Sequence, residues 1–162
     1  MRVLVFGANG FLGSNMLYRL MRLNAHVTAF CYPDEKSEAL KNSGLEVIEG
    51  DFLRVETLDI PMGGFDWIVN MASATTPNES VEHPWREEAN LGAAKIIFRR
   101  AVEAGAERIL FPSSGGTVYG SCLDLPADES QPTQSVTPYT KTKIATERLL
   151  LDICTGTSTV PI

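Results

Sequence analysis

Short runs that are apolar at every position alternate with longer segments of helical period along the whole chain. Val3-Leu4-Val5-Phe6 and Ile109-Leu110-Phe111 have no polar position, as strands covered on both faces require. The pattern predicts strands at 2–6, 26–31, 45–49, 67–71 and 108–111. Helices are predicted at 11–23, 34–42, about 84–104 and from 139 to about 153. Such alternation specifies an α/β fold, a doubly wound parallel sheet with helices on both sides joined by right-handed crossovers. No Gly/Ser linker or low-complexity stretch interrupts it, so residues 1–162 read as one domain.

One connection breaks the short-loop rule. From 115 to about 136 the chain is rich in Gly, Ser, Pro, Asp and Thr, too long for a routine strand-to-helix link. It leaves the carboxyl end of a strand, where open α/β sheets bind ligands, which predicts part of an active site there.

Composition narrows the function classes. With 14 Lys+Arg against 20 Asp+Glu the formal charge is -6, which argues against a nucleic-acid partner, since that affinity rests on neutralising phosphates. No apolar run approaches the roughly 20 residues of a membrane span. Cys31, Cys122 and Cys154 are an odd, scattered set without a CxxC pair, which fits a reducing compartment, and the chain is expected to be cytoplasmic. His26 and His83 have no partners at ligand spacing, so no metal site is expected. Trp67 and Trp85 read as packing residues.

The first predicted strand runs into Gly7-Ala8-Asn9-Gly10-Phe11-Leu12-Gly13, which opens a helix. Gly7 permits a tight turn, Gly10 lets backbone N–H groups approach a pyrophosphate, and Gly13 lets the helix pack close to the strand. Strand, loop, helix and second strand together point to dinucleotide binding. The glycines, three apart, resemble the short-chain dehydrogenase/reductase superfamily, and Gly10-Phe11-Leu12-Gly13 resembles its extended branch, with a Rossmann-type fold. In that register the resemblance places Asp51 of Gly50-Asp51-Phe52 at the adenine edge and Met71-Ala72 along a small-residue wall beside the cofactor. It places Asn90 on the helix before strand five, bent around a water near the catalytic lysine; an exposed helical Asn is the competing reading. Cys31 stands where the family often carries the ribose-binding Asp, so that contact is either missing or shifted to Asp34. Asp34 and Glu35 read equally as first-turn acids of a solvated helix. The nearest cation is Lys36, and the balance favours NAD, with NADP as the alternative.

Tyr139 and Lys143 are four apart at a helix start that Pro138 favours, so they share a face, while Lys141 points to solvent. A phenol becomes a useful base when a neighbouring ammonium favours its ionised form. The pair follows strand five, the long loop and a Ser-rich turn, the order seen in extended short-chain dehydrogenases. There the turn ending in Val118-Tyr119-Gly120 is similar to one that sets a hydroxyl over the substrate's reacting oxygen. The usual position falls on Gly115; some epimerase-like members use the hydroxyl just before it, which selects Ser114, with Thr117 and Ser113 as alternatives. Ser113 could instead cap backbone groups at the strand end. Nucleotide-sugar dehydratases of the family carry Asp-Glu where this chain has Gly116-Thr117, which disfavours dehydration.

The resemblance implies an NAD-dependent nucleotide-sugar epimerase of the UDP-glucose 4-epimerase type. Tyr139 would take a proton from a sugar hydroxyl, Lys143 would hold the ribose and favour the phenolate, and Ser114 would hydrogen-bond the reacting oxygen. A reductase or dehydrogenase of another small alcohol or ketone, and a cofactor-binding module without turnover, are the alternatives. Relatives dimerise through helices corresponding to 84–104 and 139–153, where Ile96, Ile97 and Leu150 either meet a partner or face the sheet. Relatives are also roughly twice as long. The sequence from 157 to 162 resembles the start of a sixth strand. A truncated chain with little activity alone is therefore expected, lacking the substrate lobe and leaving a sheet edge unpaired beside strand five.

Overall fold

The computed structural model describes residues 1–121 and 126–162; Cys122, one of the three cysteines weighed above, lies outside the described residues. Six strands form one sheet: β1 (Arg2–Phe6), β2 (His26–Cys31), β3 (Glu46–Glu49), β4 (Trp67–Asn70), β5 (Arg108–Leu110) and β6 (Val160–Pro161). Their order is β3-β2-β1-β4-β5-β6 and every pairing is parallel. The chain winds outward from β1 in one direction, then returns to its other side at β4. The carboxyl ends of β1 and β4 therefore flank the switch point where such sheets bind ligands.

Apolar strands arise because each serves two cores. Val3 and Val5 of β1 pack with Leu17 and Leu20 of α1 (Phe11–Arg22). Leu4 and Phe6 point oppositely and pack with Ile97 and Phe98 of α4 (Trp85–Glu103). Phe98 has no exposed surface, and burying such a side chain stabilises the fold by about 1.5–3 kcal/mol. The long α6 (Pro138–Cys154) packs beside α4 and adds Leu150 and Cys154 to this second core. Of the three residues weighed for a subunit interface, Ile97 and Leu150 are buried against the sheet, and Ile96 is half-buried against the same core. The sheet-facing alternative holds for them.

Three helical segments lay outside the pattern. A 3₁₀ stretch (Phe52–Thr57) follows β3, and the Arg100 guanidinium on α4 clamps its end by donating to the carbonyls of Val55, Leu58 and Ile60. The helix α3 (Pro77–Glu82) has a capping box, in which Thr76 accepts from Glu79 N–H and the Glu79 carboxylate accepts from Thr76 N–H. A single turn, α5 (Gly115–Val118), begins the long connection. The edge beside strand five is not open as expected: Val160 and Pro161 pair with Arg108 and Ile109, so the free edge belongs to β6. Trp85 is also corrected. It is 62% exposed, lying beside the Arg86 guanidinium, whereas Trp67 packs against the first core. Among the described residues no helix is long and apolar enough to cross a membrane.

Candidate active site

The glycine loop makes the close approaches that its spacing predicts. Gly7 has φ +72°, and a Cβ there would lie 2.8 Å from the Ala72 backbone after β4. Both Gly7 N–H and Ala8 N–H donate to the Phe30 carbonyl of β2, and Gly10 N–H donates to the Gly7 carbonyl. At Gly13 a Cβ would come within 2.1 Å of the Gly7 carbonyl oxygen, so only glycine lets α1 cross the loop this closely. Gly10 is the N-cap of α1 and offers no side chain to its first-turn N–H groups. Those groups and the helix dipole make that end a place for an anion.

A cleft of about 160 Å³ opens here, lined by Gly7, Gly10, Phe52, Met71 and Ala72 of the predicted residues and by Asn9, Phe30, Tyr32, Gly50 and Ser73. Its walls are backbone, glycine and aromatic faces, a lining that fits a dinucleotide with its pyrophosphate at the α1 N-terminus. Phe11 and Leu12, in the first turn of α1, are 82% and 56% exposed. The Asp51 carboxylate is engaged locally, accepting from Leu53 N–H and capping the 3₁₀ stretch. Cys31 is fully buried, and burial pushes its thiol up to about 11, so it is an inert core residue. Asp34 is the N-cap of α2 (Glu35–Asn42), accepting from Ser37 N–H at 2.8 Å and from the Asn9 amide at 3.0 Å. These hydrogen bonds, led by that from Ser37, hold its carboxyl below the ordinary carboxylate value. Asn9 also donates to the Tyr32 carbonyl, so one glycine-loop side chain ties that loop to the end of β2.

A second group gathers where α6 meets the end of β5. Thr137 caps α6 by accepting from Thr140 N–H, with Pro138 in the first turn. On the shared face, Lys143 Nζ lies 5.6 Å from the Tyr139 ring centroid and 4.5 Å from that of Phe111, and donates to the Pro112 carbonyl at 2.9 Å. Burial lowers the Lys143 pKa below its ordinary value, against the opposing charges of Glu87 and Glu147. Lys141 is exposed, as its helix position implies.

Of the three candidate hydroxyls, Ser113 donates to the Glu147 carboxylate rather than capping the strand end, and Thr117 donates to the Ser114 carbonyl. Ser114 is half-buried at the N-cap of α5 and its side chain makes no capping bond. Asn90 is not a solvated helical residue. Its oxygen accepts from Ala74 N–H at 2.9 Å and its amide donates to Thr75 Oγ1 at 2.9 Å, tying α4 to the turn after β4. Glu87, Thr75, Glu147 and Asn9 were missed. Two signals were present: Glu87 lies three residues before Asn90 and Glu147 four after Lys143, each spacing placing a carboxylate on an already marked helix face.

A profile of the NAD dependent epimerase/dehydratase family matches residues 3–160. The chain belongs to that family. Among curated relatives, the UDP-glucose 4-epimerase of Azospirillum brasilense is 32% identical over 157 residues, covering 93% of this chain and 44% of the relative. A 3 beta-hydroxysteroid dehydrogenase/Delta 5-->4-isomerase of Mycobacterium tuberculosis is 29% identical over 158 residues, covering 93% of this chain and 42% of its own. The fold matches that of the Thermus thermophilus UDP-glucose 4-epimerase, solved with NAD, at a TM-score of 0.84 and 24% identity, over 99% of this chain and 53% of that one. The chain spans about half the length of the family relatives it matches.

Proposed function

We propose that this chain carries the NAD-binding and proton-transfer parts of a nucleotide-sugar epimerase acting on a UDP-hexose. The observation that supports this best is the placing of Tyr139 and Lys143 on one face of α6, against the end of β5, in the same sheet that forms the glycine-loop cleft. Bound NAD supplies a hydride acceptor that can return the hydride. Gly7, Gly10 and Gly13 let its pyrophosphate approach the start of α1, with Met71 and Ala72 as the facing wall. As phenolate, Tyr139 would take the proton of the sugar hydroxyl and become the phenol as that carbon is oxidised. The Lys143 ammonium stabilises the phenolate beside it, and the Ser114 hydroxyl donates to the oxygen that becomes a ketone.

The likeness to the steroid dehydrogenase supports a second reading, net oxidation or reduction of another alcohol or ketone. Titration calorimetry with NAD and then UDP-glucose, followed by separation of the UDP-hexoses, tests both. NAD binding is the expected result, and such UDP-hexose turnover as these residues support is expected to form UDP-galactose with no net change in NADH absorbance. Net NADH production would favour the dehydrogenase, and failure to bind NAD would overturn the reading altogether.

A further inference from the structure

The segment 51–65 crosses from β3 to β4 with no place in the sheet, yet the cleft depends on its start. Gly50 and Phe52 line the cleft from the β3 side, and Met71 and Ala72 from the β4 side, with β2 and β1 between them. Among the described residues, the hydrogen bonds of 51–65 close within the segment apart from those that Arg100 supplies. Leu53 N–H donates to the Asp51 carboxylate, for example, and Leu58 N–H to the Val55 carbonyl.

Arg100 is half-buried on α4, and among the described residues no carboxylate lies within 4.0 Å of it. Its Nη1 donates to the carbonyls of Val55 and Leu58, each at 3.2 Å, and its Nη2 to that of Ile60 at 2.9 Å. A guanidinium is planar and rigid, so three acceptors on one fork are fixed relative to one another as well as to α4. Hydrogen bonds from an ionised donor are also stronger than those between neutral groups. The clamp reaches the cleft through Leu58. A Cβ at Gly50 would lie 2.6 Å from Leu58 Cδ1 and 3.0 Å from Phe30 Cζ, so the Leu58 side chain packs directly beside two residues that line the cleft. Val55 and Ile60, whose carbonyls are held by the same fork, are buried in the second core.

We propose that Arg100 is a positioning residue of the cofactor cleft, holding the segment after β3 where Gly50 and Phe52 wall the adenosine half of NAD. This rests on the proposed function: with the pyrophosphate at the start of α1 and the reacting half directed to Tyr139 beside β5, the adenosine half extends over the ends of β2 and β3. Arg100 is not part of the cleft lining and acts only through the three carbonyls.

Two measurements test it. Amide exchange of the ligand-free chain, followed by NMR, should show Leu58 and Ile60 N–H exchanging at least about tenfold faster in Arg100→Met, which keeps the aliphatic stem and loses the donors. Val27→Ala, buried in the first core at the amino end of β2, controls for lost stability alone and should leave both amides as they are. Titration calorimetry should then give Arg100→Met the same loss of affinity for NAD and for ADP-ribose, about tenfold. Arg100→Lys, a single cationic centre in place of the fork, should lie between at about threefold, and Val27→Ala should bind both ligands as the unmodified chain does. Unchanged exchange overturns the clamp. Faster exchange with unchanged affinity, a loss confined to NAD, or an equal loss in Val27→Ala overturns the role of the wall. Should Arg100→Met fail to fold, Arg100→Lys carries both measurements with the same reading. An unmodified chain that binds neither ligand overturns the proposed function and the role of the wall with it; the exchange, which needs no ligand, tells that failure from failure of the clamp.

Discussion

Lys143 Nζ donates to the Pro112 carbonyl at 2.9 Å, so the end of β5 is closed by an ammonium from α6. That contact holds the charge in a site whose burial lowers its pKa from the ordinary 10.5. Between the folded midpoint and 10.5 the unfolded chain binds more protons than the folded one, so stability contributed by this group rises with pH across that window. Below the window the cost of the buried charge is fully present. Urea unfolding of the unmodified chain and of Lys143→Met, from pH 7 to pH 10.5, should show the unmodified chain gaining on the variant as pH rises. A constant difference would contradict the burial of the ammonium.

Tyr139 is half-buried, with the Lys143 ammonium beside its ring. Tyr139→Phe keeps the ring and removes only the hydroxyl. NAD affinity should change by less than about threefold, below the roughly 1 kcal/mol of a typical net hydrogen bond. On the proposed function, whatever UDP-hexose interconversion the unmodified chain supports should fall by at least about 10²-fold, the usual scale for losing a general acid–base group. Calorimetry and product separation on the same preparation check both halves.

What could be read before the fold was known follows from how local each feature is. Val3-Leu4-Val5-Phe6 declares a doubly covered strand because its burial depends on period alone, and Tyr139 and Lys143 declare a shared face for the same reason. Glu87 shares a helix face with Asn90, as their spacing shows, but its burial also depends on Thr75 arriving from the turn after β4, which no single helix period encodes. For Asp51 the resemblance gave a position along the chain, while the hydrogen bond its carboxylate accepts from Leu53 N–H depends on the 3₁₀ turn after β3, which lay outside the pattern. The short β6 pairs the edge of β5 through two residues, one of them Pro161; that is too brief for periodicity to register, and only the resemblance marked 157–162 as the start of a sixth strand.

Asp34 gives the acid-side counterpart. Its carboxyl is held below the ordinary 3.8, first by Ser37 N–H and then by the Asn9 amide. Its contribution is therefore complete above pH 3.8 and lost as pH falls through the folded value. Comparing urea midpoints of the unmodified chain and Asp34→Asn from pH 6 to pH 3 should show a difference that is flat above about pH 5 and shrinks below it. Because Asn9 also bonds the Tyr32 carbonyl, Asn9→Ala should weaken NAD binding as well. If Asn9→Ala leaves NAD affinity unchanged, the tether does not shape the loop.

Two glycines separate space from conformation. At Gly13 a Cβ would stand 2.1 Å from the Gly7 carbonyl oxygen and 2.8 Å from Ala8 Cα, both backbone atoms that cannot turn aside. Relief requires α1 to lift from the loop, which costs about 1–3 kcal/mol or more as overpacking and moves the helix N-terminus away from the cleft. At Gly92, exposed within α4, a Cβ meets nothing within 4 Å, so alanine only restricts the unfolded chain and improves helix propensity. Gly13→Ala should therefore lose NAD binding and melt earlier. Gly92→Ala should bind NAD as before and gain about 0.5–1 kcal/mol. Thermal melts with and without NAD decide it, since a glycine loop that accepts alanine at Gly13 with NAD binding intact could not have the close crossing of α1 on which the site depends.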